Sequence, residues 1–588
     1  MSGRKPGTIN ETTWKFSLRK SFSPPRVILL LRWVTHKPRF DLVLALALLL
    51  AVLFCLHGIR WGRVECWNRD QMALRALAGL RPGDYSKPPF HTYLNHLLII
   101  EPIKLPLRIA HVPRERQNQV NGAVLLGSRL LTLALYLGTI LFAYAISLRC
   151  YGQVAAQIIA LLFATSAGFV AFAHFLTVDL PVLFWMMAAF FFGTQVVFRG
   201  KTFDYVCCGY LTGIATATKY NGLAVGLVLV VAHVLASKHS GWQKLVFSRQ
   251  LFLGLLMVPI GFIAGNPYGV LRDWNRFRTD FLFNYIVTPR YEGQPDRVNY
   301  VGFLQQIPEI IGFPGVIAVV LCILIAIIVV LGRRDLNDPA TRGFILAGAV
   351  FLFYFLKMGA FPRQPVRFVL PAVPFLLLAM GPALPKAAFK KWPWLLLGLV
   401  LIYNCICAWT VGQRFNNDPR LPAQLWLLQN VRPGNVIESS PGSPHWSLLP
   451  ELGAKEVEVN QPDWEHALGA AVIDLRMPVL TGRADLFRHI FPNEKWVGKF
   501  AAERESDSGA WAYQEEELSR RHPDFVTLYS SDLFSPNQAL RKYYNDLLAH
   551  RDPYEIAFNG QSPAVSPWIY PRSIDFLAGR MVIFRRKG

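Results

Sequence analysis

The chain has 588 residues, of which 53% are hydrophobic and 17% charged, and its formal net charge is +23. A soluble protein of this size would divide into several domains of ordinary composition. Here the apolar residues gather instead into uncharged runs such as Leu42–Leu56 and Val316–Leu331, which with their flanks approach the roughly 20 residues a bilayer core requires. The charge is not the footprint of a nucleic-acid binder, because it collects ahead of the first apolar run. Arg4, Lys5, Lys15, Arg19, Lys20, Arg26, Arg32, Lys37 and Arg39 stand there against Glu11 alone. Residues 1–40 therefore read as a basic cytoplasmic tail that also faces anionic lipid. It is too long for a cleavable signal, and no small-residue cleavage site follows.

In chain order the spans are expected at 41–58, 122–148, 153–173, 180–198, 203–217, 220–237, 250–265, 309–331, 343–357, 368–385 and 392–411. That is a polytopic helical membrane protein of about eleven spans, the two either side of Lys219 being short. With the N-terminus inside, the inner connections carry Arg149, then Arg199 and Lys201, then Lys238, Lys244 and Arg249. Arg333, Arg334 and Arg342 follow, then Lys386, Lys390 and Lys391. Every inner connection is basic, as the positive-inside rule requires, and an odd count leaves residues 412–588 outside.

Two outer loops stand out, 59–121 and 266–306. In the first, Met72, Leu74, Leu77 and Leu80 have helical spacing after Asp70, Pro82–Asp84 turns the chain, and His91–Ile109 suits an interfacial helix broken by Pro102 and Pro106. The second is rich in aromatic and Arg residues, among them Tyr268, Trp274, Tyr285 and Tyr291. Beyond 412 the composition is that of a soluble α/β domain. Short β-like runs at Val436–Glu438, Glu456–Val459, Ala471–Asp474, Phe525–Tyr529, Tyr554–Phe558 and Met581–Phe584 alternate with helical stretches such as Asn537–Leu548. Of eight cysteines only Cys66 falls in a loop, and no CxxC pair or zinc spacing occurs, so neither a disulfide framework nor a cysteine-bound metal is expected.

Charges at span ends on one side carry a functional expectation, because they are expensive there. On the outer side the acids are Asp70 and Asp179, with His174 just ahead of the latter, and the bases are Lys87, Lys219, Lys357, Arg363 and Arg367. Cations clustered on the face where topology disfavours them suggest an anionic ligand at the membrane surface.

Four segments in order, WNRDQMALRALAGLRPGDYSKPPF, HFLTVDLPVLFW, GYLTGIATATKYNGLAV and RFVLPAVPFLLL, carry a resemblance. Together they resemble the GT-C superfamily of polyprenyl-phosphate-sugar glycosyltransferases, in the branch of protein O-mannosyltransferases and the lipid A aminoarabinose transferase. The resemblance covers residues 40 to 411, and NDPRLPAQLWLLQNVRPGNVIES resembles the start of the soluble domain in bacterial members. It implies transfer of a sugar from a polyprenyl-phosphate donor to a lipid, glycan or protein acceptor at the extracytoplasmic face of a bacterial inner membrane, without nucleic acid. Asp70 would be the base or acceptor-orienting carboxylate, and Asp179 would help shape the acceptor or metal site. Lys87, Lys219, Arg363 and Arg367 would contact the donor phosphate, and His174, Tyr268 and Tyr291 would touch sugar or acceptor. The pattern commonly has Asp-Glu at its first motif where this chain has Asp70–Gln71, so no metal or other cofactor is expected. A transporter or flippase of lipid-linked sugars is the alternative, though no internal repeat of the kind common in transporters is evident.

Overall fold

The computed structural model describes residues 41–62, 85, 87–109, 117–237, 245–286, 298–384, 391–439, 455–458, 522–530, 533, 538–549 and 553–587. Helix α1 (Leu42–Leu56) starts at Asp41, whose carboxylate accepts from the backbone N–H groups of Val43 at 3.0 Å and Leu44 at 3.1 Å. This is an ordinary N-cap with a second use. The same carboxylate accepts from the Tyr144 hydroxyl at 2.5 Å and from Gln157 at 3.0 Å, tying α1 to two later helices.

Helix α2 (Phe90–Asn95) passes through a π turn, His96–Ile100, into α3 (Glu101–Ile109). The expected interfacial helix is thus one helical run rather than a broken one. A wide π turn just ahead of Pro102 relieves the clash its ring would make in a regular helix. Next come α4 (Gln117–Tyr151), α5 (Gln153–Thr165) and α6 (Ala167–Ala173), the last two bent by 54° at Ser166. Helices α7 (Asp179–Arg199) and α8 (Thr202–Thr218) lead through a 3-10 segment, Tyr220–Gly226, into α9 (Leu227–Ser237). Helix α10 (Arg249–Gly265) follows.

The connection 266–306, expected as a loop, contains helices α11 (Pro267–Leu271), α12 (Trp274–Ile286) and α13 (Tyr300–Gln305). Asn266 and Asn299 start the first and third by accepting from Gly269 N at 3.3 Å and Gly302 N at 2.8 Å, a helix-start signal hidden among aromatic and Arg residues. Then come α14 (Pro308–Ile311), α15 (Phe313–Arg333), α16 (Pro339–Gly359), α17 (Val366–Val369), α18 (Val373–Ala379), α19 (Lys391–Asn416) and α20 (Arg420–Asn430). Gly312 separates α14 from α15 with φ +72°, the left-handed region that favours glycine.

Every expected span is helical, but not every one is a full-length crossing. Among the described residues seven helices are long and apolar enough to cross a membrane, the bent α5–α6 pair makes up to eight, and α1 and α10 are shorter apolar helices. Helix α7 and the broken segment 366–383 are almost wholly enclosed, whereas α15 turns most of its surface outward, as a lipid-facing helix does.

Beyond α20, among the described residues, five strands form a sheet of order β2-β1-β3-β5-β4, with β1 (Val436–Ser439), β2 (Lys455–Glu458), β3 (Phe525–Tyr529), β4 (Tyr554–Gln561) and β5 (Arg580–Arg586). The first three pair in parallel, and β5 pairs antiparallel with both β3 and β4. Helix α21 (Gln538–Leu548) packs Tyr543, Tyr544 and Leu547 against Val526, Leu528, Val582 and Phe584 of the sheet. The expected strand Ala471–Asp474 lies outside the described residues. A polar knot among the helices meets the sheet where the Arg420 guanidinium stands 5.1 Å from the Tyr529 ring of β3. Asp418 accepts from Trp61 Nε1 at 2.7 Å and from Arg420 Nη2 at 2.6 Å, while Arg129 donates to the carbonyls of Ile59, at 2.7 Å, and Trp61. The ring of Phe175 reaches across the knot to Phe415 at 5.4 Å and Phe576 at 6.3 Å.

Two helices meet backbone to backbone. A Cβ on Gly209 of α8 would lie 1.8 Å from the Gly254 carbonyl oxygen, and one on Gly213 would lie 2.2 Å from that of Val258. A Cβ on Gly261 of α10 would in turn stand 2.2 Å from the Tyr210 carbonyl oxygen. Small residues four apart permit this approach between membrane helices. Replacing Gly213 by Val should push α8 off α10 and destabilise the protein by at least about 1–3 kcal/mol, seen as a lower Tm in nanodiscs; an unchanged Tm would refute the interface.

Candidate active site

Four segments distant in sequence bring their charges together at the end of the bundle nearest the sheet. Asp179 opens α7 and is buried, only 4% exposed. Lys219 ends α8 in an extended conformation, φ −155° and ψ 130°, between that helix and the following 3-10 segment. This break turns the lysine inward. Its Nζ donates to Asp179 Oδ1 at 2.5 Å and to the Arg367 carbonyl oxygen at 3.1 Å.

Arg367 lies in α17, immediately after the turn that ends α16. That turn is held from two sides. Gln364 Nε2 donates to the carbonyls of Met358 at 2.6 Å and Phe361 at 2.8 Å, and Asn299 Nδ2 donates to that of Pro362 at 2.9 Å. Arg363 sits in the same turn, partly exposed. The ring of Phe368 lies between two cations, 5.9 Å from Lys219 Nζ and 5.8 Å from the Arg367 guanidinium, in cation–π range. Lys219, Arg367 and Lys87 all act electrostatically on the Asp179 carboxylate, Lys219 most strongly.

Lys87 is delivered by the segment ahead of α2, which α12 clamps. Tyr85 N donates to Asp280 Oδ2 at 2.8 Å, the Tyr85 hydroxyl donates to Asp273 Oδ2 at 2.6 Å, and the Tyr220 hydroxyl donates to the Tyr85 carbonyl at 2.7 Å. Burial, reinforced by the bond to Asp273, pushes the Tyr85 hydroxyl well above its ordinary range. It therefore stays a neutral donor at any physiological pH.

Of the residues singled out in the sequence, the structure gathers Asp179, Lys219, Arg367 and Lys87. His174 is engaged elsewhere. Its Nδ1 lies 2.8 Å from the Val170 carbonyl and its Nε2 2.8 Å from that of His57, with the ring stacked on Phe415 at 4.4 Å. Tyr268 sits in α11 with the Arg272 guanidinium 5.8 Å over its ring, and Lys357 is exposed, its Nζ 6.0 Å from the Phe361 ring. Asp70 and Tyr291 lie outside the described residues. Sequence reasoning missed Tyr354, fully buried in α16 within reach of the Asp179 charge, its hydroxyl accepting from Asn221 Nδ2 at 2.5 Å. The signal was one hydroxyl in the apolar run FLFYFLK. Among the described residues no group of three or more His, Cys, Asp or Glu side chains could hold a metal ion.

A carboxylate buried amid cations, at the mouth of an apolar bundle, is arranged to bind an anion beside a group that handles protons or hydroxyls. The comparisons with known proteins bear on the class. Residues 117–264, which include both Asp179 and Lys219, match the family model of the dolichyl-phosphate-mannose-protein mannosyltransferases. The fold is similar to those of two solved membrane proteins. ArnT from Cupriavidus metallidurans in the apo state superposes with a TM-score of 0.50 at 16% identity, over 94% of this chain and 98% of that one. The same protein bound to undecaprenyl phosphate gives 0.49 at 16% identity over 95% and 98%. The oligosaccharyltransferase of Archaeoglobus fulgidus in its apo form gives 0.45 at 13% identity over 92% and 76%. No curated protein sequence matches the chain.

The pairing makes a measurable prediction. Replacing Lys219 by Met strips a buried carboxylate of its nearest counter-charge and should destabilise the protein by about 3–5 kcal/mol. Adding Asp179→Asn to that variant should restore most of the loss. Unfolding of the two single variants and the double variant gives the coupling energy, and strict additivity would show that the two side chains do not depend on each other.

Proposed function

We propose that this chain is a membrane glycosyltransferase that moves a sugar from a polyprenyl-phosphate donor to a hydroxyl or amine acceptor, with inversion, at the extracytoplasmic face. The observation that carries the reading is the buried Asp179–Lys219 ion pair, with the Arg367 backbone held against the same lysine. The family match over 117–264 supports it. So does the relative solved with undecaprenyl phosphate, a lipid phosphate of the kind such a cradle would take. The basic residues at the far ends of the helices, Arg149, Arg199, Lys201, Arg333 and Arg342, support the orientation.

The acceptor oxygen or nitrogen attacks the anomeric carbon, the bond from that carbon to the phosphate oxygen breaks, and the acceptor proton passes to a carboxylate. Asp70 is assigned that proton. The departing lipid phosphate is already a good leaving group and needs no acid, so a single base suffices, in contrast to glycosidases. Its charge is taken up by Lys87, Lys219 and Arg367, with Arg363 at the rim, and Arg367 can grip two phosphate oxygens at once. Asp179 holds Lys219 in place and borders the acceptor side. Charge neutralisation falls to fixed side chains, and no metal is assigned a part.

Transfer from radiolabelled polyprenyl-phosphate sugars by the purified protein in lipid tests this. Wild type should move label to acceptor, Asp70→Asn should lose at least about a hundredfold in rate, and activity should survive EDTA. Arg367→Ala should weaken donor binding. Leaflet exchange of the donor without any transfer would overturn the reading, and undiminished turnover by Asp70→Asn would remove the base.

A further inference from the structure

One turn in the C-terminal region spans Ser566–Ser573. It lies along α19, a membrane-crossing helix. The Tyr403 hydroxyl donates to the Trp568 carbonyl at 2.6 Å, and Cys407, one helical turn on, lies beside Tyr570. Arg414 Nη1 donates to the Pro571 carbonyl at 2.7 Å and to Asp575 Oδ1 at 2.7 Å, and its Nη2 donates to the Ile569 carbonyl at 3.3 Å. Positions 403, 407 and 414 fall on one face of the helix, and the outer two are about 16 Å apart along its axis. The turn therefore covers about three turns of a membrane helix. Its far end is held by Glu309 of α14, whose Oε2 accepts from Ser573 N at 2.8 Å.

The depth of this contact can be read from the neighbouring side chains. The adjoining face of α19 exposes Leu395, Leu399, Ile402, Ile406 and Trp409. An apolar stripe closed by an exposed Trp is the mark of a helix facing lipid up to the interfacial belt. The turn meets α19 at Tyr403 and Cys407, below the level of Trp409. A second marker agrees. A Cβ on Gly312, just before α15, would lie 2.6 Å from the Tyr403 ring, so Tyr403 is level with the start of α15. That helix exposes apolar residues from Phe313 onward. At this depth Trp568 is 75% exposed, with partly buried Ile569 and Tyr570 beside it. Arg572 folds back over the turn, its Nε donating to the Pro567 carbonyl at 3.0 Å and its guanidinium 5.0 Å from the Tyr570 ring.

We propose that the Pro567–Tyr570 turn is a lipid anchor, placing the Trp568 indole in the interfacial layer of the leaflet on the sheet's side, with Arg572 at headgroup level. A ring of this kind exposed to water would be an isolated apolar liability. In the interface its apolar body is buried while its N–H stays among polar headgroups. The C-terminal sheet is then fixed over the membrane by lipid as well as by α19 and α20.

The test uses the full chain in lipid nanodiscs. A nitroxide is attached at Trp568→Cys in a Cys66→Ser background, with Lys542→Cys on exposed α21 as the aqueous reference and the unsubstituted background for subtraction. Collisions with oxygen should exceed those with a water-soluble nickel chelate at 568, and the order should reverse at 542. Equal nickel access at the two positions overturns the anchor. Because the cysteine variant removes the ring itself, a second measurement keeps it. The difference in tryptophan emission between wild type and Trp568→Phe should be quenched by dibrominated lipid, and a difference insensitive to it also overturns the proposal.

Discussion

A carboxylate buried at the start of a membrane helix has to be compensated, and much of the arrangement at this end of the bundle follows from how Asp179 is. Isolated charge in an apolar bundle is costly enough that a protein either neutralises it or builds partners around it. Lys219 is the direct partner, at 2.5 Å. To supply it, α8 stops, the backbone runs extended for one residue, and a 3-10 segment restarts the helix. The Arg367 carbonyl then takes the second lysine hydrogen bond, which fixes the short helix α17 and with it the arginine. Packing makes this possible. Helix α8 reaches its position only because its glycines let α10 touch it backbone to backbone.

The same compensation fits the proposed chemistry. Cations held by a resident carboxylate are already oriented when a phosphate arrives, so little reorganisation is left for the reaction itself. The clamp on Tyr85 does the corresponding work for Lys87. Asp273 just ahead of α12, Asp280 within it and the Tyr220 hydroxyl fix the segment, and Tyr220 follows directly on Lys219 in the chain. Lys87 and Lys219 are thereby linked through neighbouring residues, by the Tyr220 hydroxyl on the Tyr85 carbonyl.

Much of the architecture was legible in the sequence because hydropathy reports directly on burial in lipid. Every expected span is helical, and the spans flanking Lys219, expected to be short, are separated by a helix break at that lysine. The number of full crossings was less legible, since bends at Ser166 and through 370–372 interrupt helices without interrupting apolarity. The helices within 266–306 were missed because their start signals, Asn266 and Asn299, lie among residues that suggest a loop. For the site, isolated charges in apolar surroundings pointed to Asp179, Lys219 and Arg367, and the structure gathers them. His174 looked equally isolated, yet both its ring nitrogens face backbone carbonyls. Composition cannot tell a polar group needed for packing from one needed for chemistry. Tyr354 escaped for the opposite reason, because an aromatic residue in a span looks like core.

The sheet has a further consequence, in the order in which the protein can be assembled. Its fifth strand in chain order, β5, sits between β3 and β4 and pairs with both. Strand β4 is therefore an orphan until β5 emerges, while β1 follows α20 almost directly. The helices can be inserted and packed during synthesis, one after another as they leave the ribosome. The sheet has no such option, because its closing strand comes last and its contacts span long stretches of chain. A polypeptide already committed to the membrane must therefore carry an unfinished sheet, with open edges, until its final strand is released.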